Sequence, residues 1–148
     1  MTQLTSSLPV APLGEQAPPR VRVAPRARTN AWQDVADLSE RFGLVLDDWQ
    51  CDILRAAMGE RPDGSWAAKQ VGMSIPRQNG KSQLIVPRAL AGALLFGERM
   101  IIISAHQQDT ARETFAKFQE IIDREPALSS RIKQVMYALN REFIKFTN

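Results

Sequence analysis

The stretch that decides the fold is Pro76-Arg77-Gln78-Asn79-Gly80-Lys81-Ser82. Gly80, Lys81 and Ser82 fill the last three positions of the pattern G-x-x-x-x-G-K-[ST], in which backbone N–H groups at the start of a helix surround nucleotide phosphates. In that pattern the lysine reaches the β- and γ-phosphates, and the hydroxyl helps to hold Mg²⁺. The first glycine is missing, because Ile75 takes its place. The stretch therefore predicts a phosphate-binding loop that departs from the usual pattern.

The segments on either side of this loop predict a strand and a helix. Residues 69–75 alternate loosely between apolar and polar side chains, which is typical of a short strand. The segment from Ser82 to Phe96 has the apolar spacing of a buried helix. Pro87 should bend or interrupt that helix, because proline removes one backbone hydrogen bond. The plainer alternative for the loop is a surface turn that caps a buried helix, with Lys81 merely solvated.

A second strand and a long helix are predicted after the loop. Met100 to Ile103 is a continuous apolar run, as in central strands of parallel sheets. An amphipathic helix should follow His106, with its apolar stripe at Ala111, Phe115, Phe118 and Ile122. The order strand, loop, helix, strand, helix predicts an α/β fold with a parallel sheet. Two further strands, 135–137 and 143–146, should form a hairpin that turns at Asn140.

The N-terminal third predicts a tail followed by two helices. Residues 1–30 contain five of the nine prolines and four arginines against one acid, whereas residues 31–148 contain 15 basic and 15 acidic residues. We expect 1–30 to be a disordered, Pro/Arg-rich tail, which could add salt-sensitive contacts to DNA phosphates. Thr29 or Asn30 should cap a helix that runs through Arg41. A second helix should begin at Asp47 or Asp48 and end before Gly59, ahead of a turn at 61–64.

Composition restricts the cellular setting and the chemistry. The longest apolar stretch, 89–96, is far below the roughly 20 residues of a membrane-spanning helix, so no membrane association is expected. The chain lacks a secretory signal, and its single cysteine, Cys51, cannot form an internal disulfide, which together favour a reducing cytoplasm. His106 is the only histidine, which argues against a histidine-based metal cluster.

Together, PRQNGKS and the downstream ISAHQQDTARETF resemble the large terminase subunit of tailed bacteriophages, the ATPase that drives viral DNA into a preformed capsid. The resemblance covers about residues 42–148 and implies a P-loop NTPase-like three-layer parallel sheet with ATP and Mg²⁺ as cofactors. It implies catalytic roles for Lys81 and Arg77, with Arg77 contacting the γ-phosphate, and a Mg²⁺ contact for Ser82. The nucleotide-binding residues that it implies are Pro76, Arg77, Gln78, Asn79, Gly80, Lys81 and Ser82. A solvent-facing loop charge is the plainer interpretation of Arg77.

Two more segments resemble parts of the same family. The segment 46–50 resembles its adenine-recognition segment, in which the amide of Gln50 would donate to and accept from the base edge. An exposed helical glutamine is the alternative, and Trp49 is either a core residue or a base-flanking aromatic. The segment 104–108 would lie near the nucleotide or the DNA path, with His106 as a polar loop residue rather than a catalyst.

The resemblance also implies partners and a location. Double-stranded DNA, the phage portal protein, the small terminase subunit and further copies of the full-length chain would be partners, in the cytoplasm of the bacterial host at the procapsid portal. In the family, the acidic Mg²⁺ and water-orienting residues follow an apolar strand that ends in Asp-Glu, and a nuclease domain comes later. Neither pattern occurs in these 148 residues. We therefore expect a fragment or truncated product that is inactive alone.

Two other functions stay open at this stage. A helicase-like translocase would have a glutamine motif, a phosphate loop and a following strand in the same order. A non-catalytic module would bind DNA or a partner without hydrolysing nucleotide.

Overall fold

The structure is a computed structural model that describes residues 21–76, 79–138 and 141–147. Its N-terminal part contains two short helices, each next to a short strand. Strand β1 (Thr29–Asn30) leads into helix α1 (Trp32–Arg41), and helix α2 (Asp48–Ala57) leads into strand β2 (Gly59–Glu60). The strands pair antiparallel, so that the start of α1 lies beside the end of α2. Both helices lie where the sequence predicted them.

Polar side chains fix the beginning of α1. The side-chain oxygen of Asn30 accepts the backbone N–H of Trp32 at 3.0 Å, and its amide donates to the carbonyl of Arg55 at 2.7 Å. The N-cap of α1 is Ala31 rather than the predicted Thr29 or Asn30, and Asn30 supports the helix start from one residue before the cap. Arg28 also pairs with Glu60 through its backbone N–H at 2.8 Å. Of the predicted tail, residues 28–30 therefore belong to the folded part, and residues 1–20 lie outside the described residues.

Helix α3 (Lys81–Leu94) is the central element. Leu84 and Ala91 pack in one buried cluster with α1 and α2, whereas Val86 and Leu90 pack in another with α4. Apolar residues cover two sides, so the predicted helix is largely buried, although Ile85 (36 %) and Leu95 (49 %) of the apolar segment are exposed. The expected interruption at Pro87 does not occur, since the helix continues through this fully buried residue. Packing on both sides offsets the hydrogen bond that proline removes.

Helix α4 (Gln108–Arg124) and a short helix α5 (Pro126–Ser129) follow. The predicted stripe of α4 is confirmed: Phe118 and Ile122 are buried, and Ala111 and Phe115 are half-buried. No helix within 21–76, 79–138 and 141–147 has the length and apolar character needed to cross a membrane.

The predicted hairpin is confirmed as strands β3 (Ile132–Ala138) and β4 (Arg141–Phe146), which pair antiparallel. The expected turn at Asn140 lies outside the described residues. Ile144 and Phe146 pack against the cluster shared by α3 and α4. A cleft of about 470 Å³ remains between the hairpin and these two helices.

The two strands expected on either side of α3 are not formed. Residues 69–76 and 100–104 have no regular secondary structure, and several apolar side chains there are exposed, among them Val71 (52 %), Met100 (78 %) and Ile102 (80 %). A strand persists only where a neighbour pairs with its backbone groups, and the described residues offer neither segment such a neighbour. The described part is therefore mixed α/β, with five helices and two small antiparallel sheets.

Candidate phosphate-binding site

Gly80 ends the loop and starts α3. Its φ of 72° lies in the left-handed region, where an L-residue costs roughly 1–2 kcal/mol, so glycine fits this position. The next residue, Lys81, begins the helix. The N–H groups of Lys81 and Ser82, at the start of the first helical turn, precede the first intrahelical bond, which Gln83 makes to Gly80, and no acidic side chain of that turn neutralises them. The start of α3 therefore offers the donors and partial positive charge that attract phosphate.

The Lys81 side chain turns back onto the loop that precedes it. Its Nζ donates to the carbonyl of Ile75 at 2.8 Å and to the carbonyl of Pro76 at 2.6 Å. These contacts span six and five residues, so residues 75 and 76 lie close to the start of α3. An ammonium group has three donors, and two are used here, which leaves one for an anion. The Lys81 ammonium therefore contacts the first residues of the loop, 75 and 76.

The remaining loop residues are placed unevenly. Asn79 and Pro76 are exposed, and Ser82 is half-buried in the first turn of α3, one residue beyond Lys81. Arg77 and Gln78, which were predicted to bind nucleotide, lie outside the described residues. Lys81 and Ser82 are therefore the first two residues of a helix, which is where the phosphate-loop pattern places them.

Gln50 contacts the loop directly, although it is thirty residues away in sequence. Its side chain is fully buried, at 0 % exposure. Its Nε2 donates to the carbonyl of Gly80 at 3.0 Å and lies 3.4 Å from Oε1 of Gln83, and its Oε1 accepts the backbone N–H of Asp47 at 2.8 Å. The structure thus brings together Gln50 and Gly80, two of the predicted site residues, and the predicted contact of Gln50 with a base stays a prediction. It also excludes the alternative of an exposed helical glutamine.

Trp49 lies beside the same point. A Cβ added to Gly80 would lie 3.7 Å from Cζ2 of the Trp49 ring. The indole Nε1 donates to the Asp47 carboxylate at 3.3 Å, and the side chain is half-buried. Trp49 is therefore a half-buried aromatic residue beside Gly80 rather than a fully buried core residue.

The other predicted site segment is not joined to this one. Residues 104–108 are exposed, with 104–107 before α4 and Gln108 as its first residue, and His106 is among them. Within the described part of the chain, no hydrogen bond connects them to Gln50, Lys81 or Ser82. The contribution predicted for this segment stays a prediction.

Within 21–76, 79–138 and 141–147, no group of three or more His, Cys, Asp or Glu side chains is arranged to hold a metal ion. A Mg²⁺ ion would have the Ser82 hydroxyl as its protein ligand in the loop, with phosphate oxygens supplying others. Burial raises the pKa of the half-buried Cys51 thiol, and the nearby Arg55 guanidinium opposes that shift. A thiol held protonated in this way is a poor nucleophile, in agreement with a structural role.

Sequence reasoning missed the polar cluster that secures the far half of α3. Arg88 donates to both carboxylate oxygens of Glu98, at 2.7 and 3.1 Å, and the Trp66 indole approaches the same carboxylate at 3.4 Å. The hydrogen bonds from Arg88 hold the pKa of Glu98 below its usual value, against the opposing effect of burial. Trp66 also meets Phe96 edge-to-face at 5.1 Å. No local spacing links these residues, so only the folded chain reveals them.

Comparisons of the chain with protein-family profiles, with curated proteins and with solved structures give no match.

Proposed function

We propose that this chain is the ATP-binding part of a phage terminase large subunit, the motor ATPase that moves viral DNA into the procapsid. One observation carries the proposal: the Lys81 ammonium contacts the carbonyls of Ile75 and Pro76 beside a left-handed Gly80 that leads into a 14-residue helix. A lysine at the start of such a helix would reach the far phosphates of a nucleotide whose tail rests on the helix start, which supports the proposal.

The chemistry of the site fits ATP as its ligand. The free N–H groups at the start of α3 would bind phosphate oxygens, and Lys81 would exchange its two carbonyl partners for the more strongly attracting phosphate charge. Ser82 would supply an oxygen to Mg²⁺, which would neutralise charge on the phosphates. Trp49 would flank the base or ribose from the side of α2. Arg77 keeps the role that the resemblance gives it, as a contact of the γ-phosphate.

The parallel sheet belongs to the proposal as well. Segments 69–75 and 100–103 would be its strands, entering the phosphate loop and following α3. Their exposed apolar side chains support this, because burying such surface against neighbouring strands is favourable by about 25 cal/mol per Å². The resulting domain would bind double-stranded DNA, the portal protein and the small subunit, and would oligomerise as part of the full-length protein.

A helicase-like translocase would have a glutamine motif and a phosphate loop in the same order, so the hydrogen bond between Gln50 and Gly80 does not separate the two classes of motor. The missing first glycine and the sequence PRQNGKS favour the terminase. A non-catalytic module would need no phosphate loop at all. A measurement of nucleotide binding therefore distinguishes the non-catalytic module, which would not bind nucleotide, from both motors, which would.

The proposal is tested by titration calorimetry with ATP and Mg²⁺, followed by measurement of ATP turnover with and without linear double-stranded DNA. We expect saturable binding that Lys81→Ala abolishes and that Lys117→Ala, the loss of an exposed lysine on α4, leaves intact. Binding with little or no turnover supports the nucleotide-binding part of a motor. Turnover that DNA stimulates supports a complete motor activity. The absence of binding contradicts both motors and supports the non-catalytic module.

A further inference from the structure

The Gln50 amide is committed to contacts inside the protein. A primary amide has two N–H donors and one acceptor oxygen. Both donors face acceptors near the loop, the carbonyl of Gly80 and Oε1 of Gln83, and the oxygen accepts the backbone N–H of Asp47. The partners also fix the orientation of the amide, since one is a backbone carbonyl and another a backbone N–H. The side chain is fully buried, so a nucleobase could meet it only if it left these partners.

The contact with Gly80 acts on the point where loop becomes helix. The carbonyl of Gly80 also accepts the backbone N–H of Gln83 in the first turn of α3, at 3.0 Å. By holding this carbonyl, Gln50 fixes the direction in which the first-turn N–H groups point. The close approach depends on glycine, because a Cβ at position 80 would lie 3.1 Å from Gln50 Nε2 and 3.0 Å from Gln83 Oε1.

The same side chain also secures its own helix. By accepting the N–H of Asp47, Gln50 supplies one half of a capping box at the start of α2. The start of α2 and the start of α3 are thereby joined through a single amide. A displacement of either helix start would open a hydrogen bond to a buried group, which is costly.

We propose that Gln50 is a positioning residue of the phosphate loop, which acts through Gly80 on the triphosphate tail rather than on the base. This inference rests on the proposed function and specifies its ligand: the site selects a Mg²⁺-bound triphosphate, and Gln50 contributes equally whichever base is attached. ATP, GTP and inorganic tripolyphosphate all depend on it to the same degree.

The first test compares the three ligands by calorimetry in the full 148-residue chain. Gln50→Met keeps a long unbranched side chain but removes both donors and the acceptor. It weakens ATP, GTP and tripolyphosphate binding by the same factor, about tenfold for the loss of one oriented hydrogen bond. The matched control, Gln33→Met, changes an exposed glutamine on α1 and leaves all three affinities unchanged. A loss confined to ATP would overturn the proposal, because it would assign the amide to the adenine base.

A second variant separates the donor from the acceptor. Gln50→Glu keeps an oxygen for the Asp47 N–H but, when ionised, has no hydrogen for the Gly80 carbonyl. Affinity for tripolyphosphate, expressed relative to the unmodified chain at each pH, is reduced at pH 8 and recovers towards pH 5 as the buried carboxyl takes up a proton and can donate again. A deficit that stays constant over this range would contradict the donor role.

Hydrogen exchange in the ligand-free chain tests the positioning itself. Amides in the first turn of α3, at residues 82–85, exchange several-fold faster in Gln50→Met than in Gln33→Met. Unchanged exchange at these amides would overturn the proposal whatever the ligands do. Faster exchange in a chain that binds no triphosphate would instead contradict the proposed function and leave the structural coupling between Gln50 and α3 in place, so the two failures are distinguishable.

Discussion

The guanidinium of Arg88, within helix α3, donates two hydrogen bonds, of 2.7 and 3.1 Å, to the carboxylate of Glu98, which follows the helix. Less than a third of either side chain is exposed. The pair lies against the edge-to-face rings of Trp66 and Phe96, with the Arg88 guanidinium 5.5 and 5.8 Å from the two ring centres. This cluster joins the second half of α3 to the residues that follow it by hydrogen bonds, as the hydrogen bond from Gln50 to Gly80 joins the start of α3 to α2.

The close approach of this ion pair to Gly92 predicts an unusual effect of alanine. Alanine in a helix is normally more stable than glycine by about 0.5–1 kcal/mol. A Cβ at position 92 would lie 2.3 Å from Oε2 of Glu98 and 2.9 Å from Nη1 of Arg88, so the pair would have to move. We expect the shift of these two side-chain ends to cancel the usual gain, so that Gly92→Ala does not stabilise the protein in urea unfolding.

The double variant is the control for that prediction. In a Glu98→Ala background, the obstructing carboxylate is gone and Gly92→Ala should become stabilising. The coupling between the two changes should therefore be about 1 kcal/mol. Effects that simply add would show that the carboxylate does not limit position 92.

The lowered pKa of Glu98 predicts how stability depends on pH. Because the folded state holds the pKa of this carboxyl below its unfolded value, the contribution is fully present above the unfolded pKa and is lost as pH falls through the folded pKa. The difference in unfolding free energy between the unmodified chain and Glu98→Gln should be constant above about pH 5.5 and should shrink below about pH 4. Urea unfolding across this range measures it, and a difference that grows on acidification would contradict the sign.

Gly80 and Gly64 form a matched pair for testing the loop. Both have positive φ, 72° and 78°, but a Cβ at Gly64 would meet no atom within 4 Å. Each alanine variant should lose roughly 1–2 kcal/mol from backbone strain. Only Gly80→Ala should also push Gln50 and Gln83 away and lose ATP binding in calorimetry. Equal binding by the two variants would show that the surroundings of Gly80 do not matter to the site.

The elements that the sequence predicted correctly have local signals. Asn30 and Asp47 precede α1 and α2, and Gly43 and Gly59 follow them. Each helix therefore has residues typical of helix starts and ends next to it in the sequence. The hairpin of β3 and β4 has its two strands adjacent in the chain. In contrast, the strands expected at 69–75 and 100–103 depend on distant partners, and apolar content alone does not supply the paired neighbour.

The candidate site divides in the same way. The sequence Gly80-Lys81-Ser82 and its position before a helix were evident because they are contiguous. The burial of Gln50 against Gly80 was not, since a contact over thirty residues depends on how α2 packs beside α3. Gln83 gave no signal, because a glutamine on a helix is unremarkable until its neighbour is known.

The central claim is that Lys81 clamps a nucleotide triphosphate at the start of α3, and thermal unfolding with saturating ATP and Mg²⁺ tests it most directly. Ligand at about one hundred times its Kd stabilises the folded state by about 2.7 kcal/mol, which corresponds to a rise in Tm of roughly 5–10 °C. We predict this rise for the unmodified chain and for Lys117→Ala, and no rise for Lys81→Ala. Full protection of Lys81→Ala by ATP would contradict the claim.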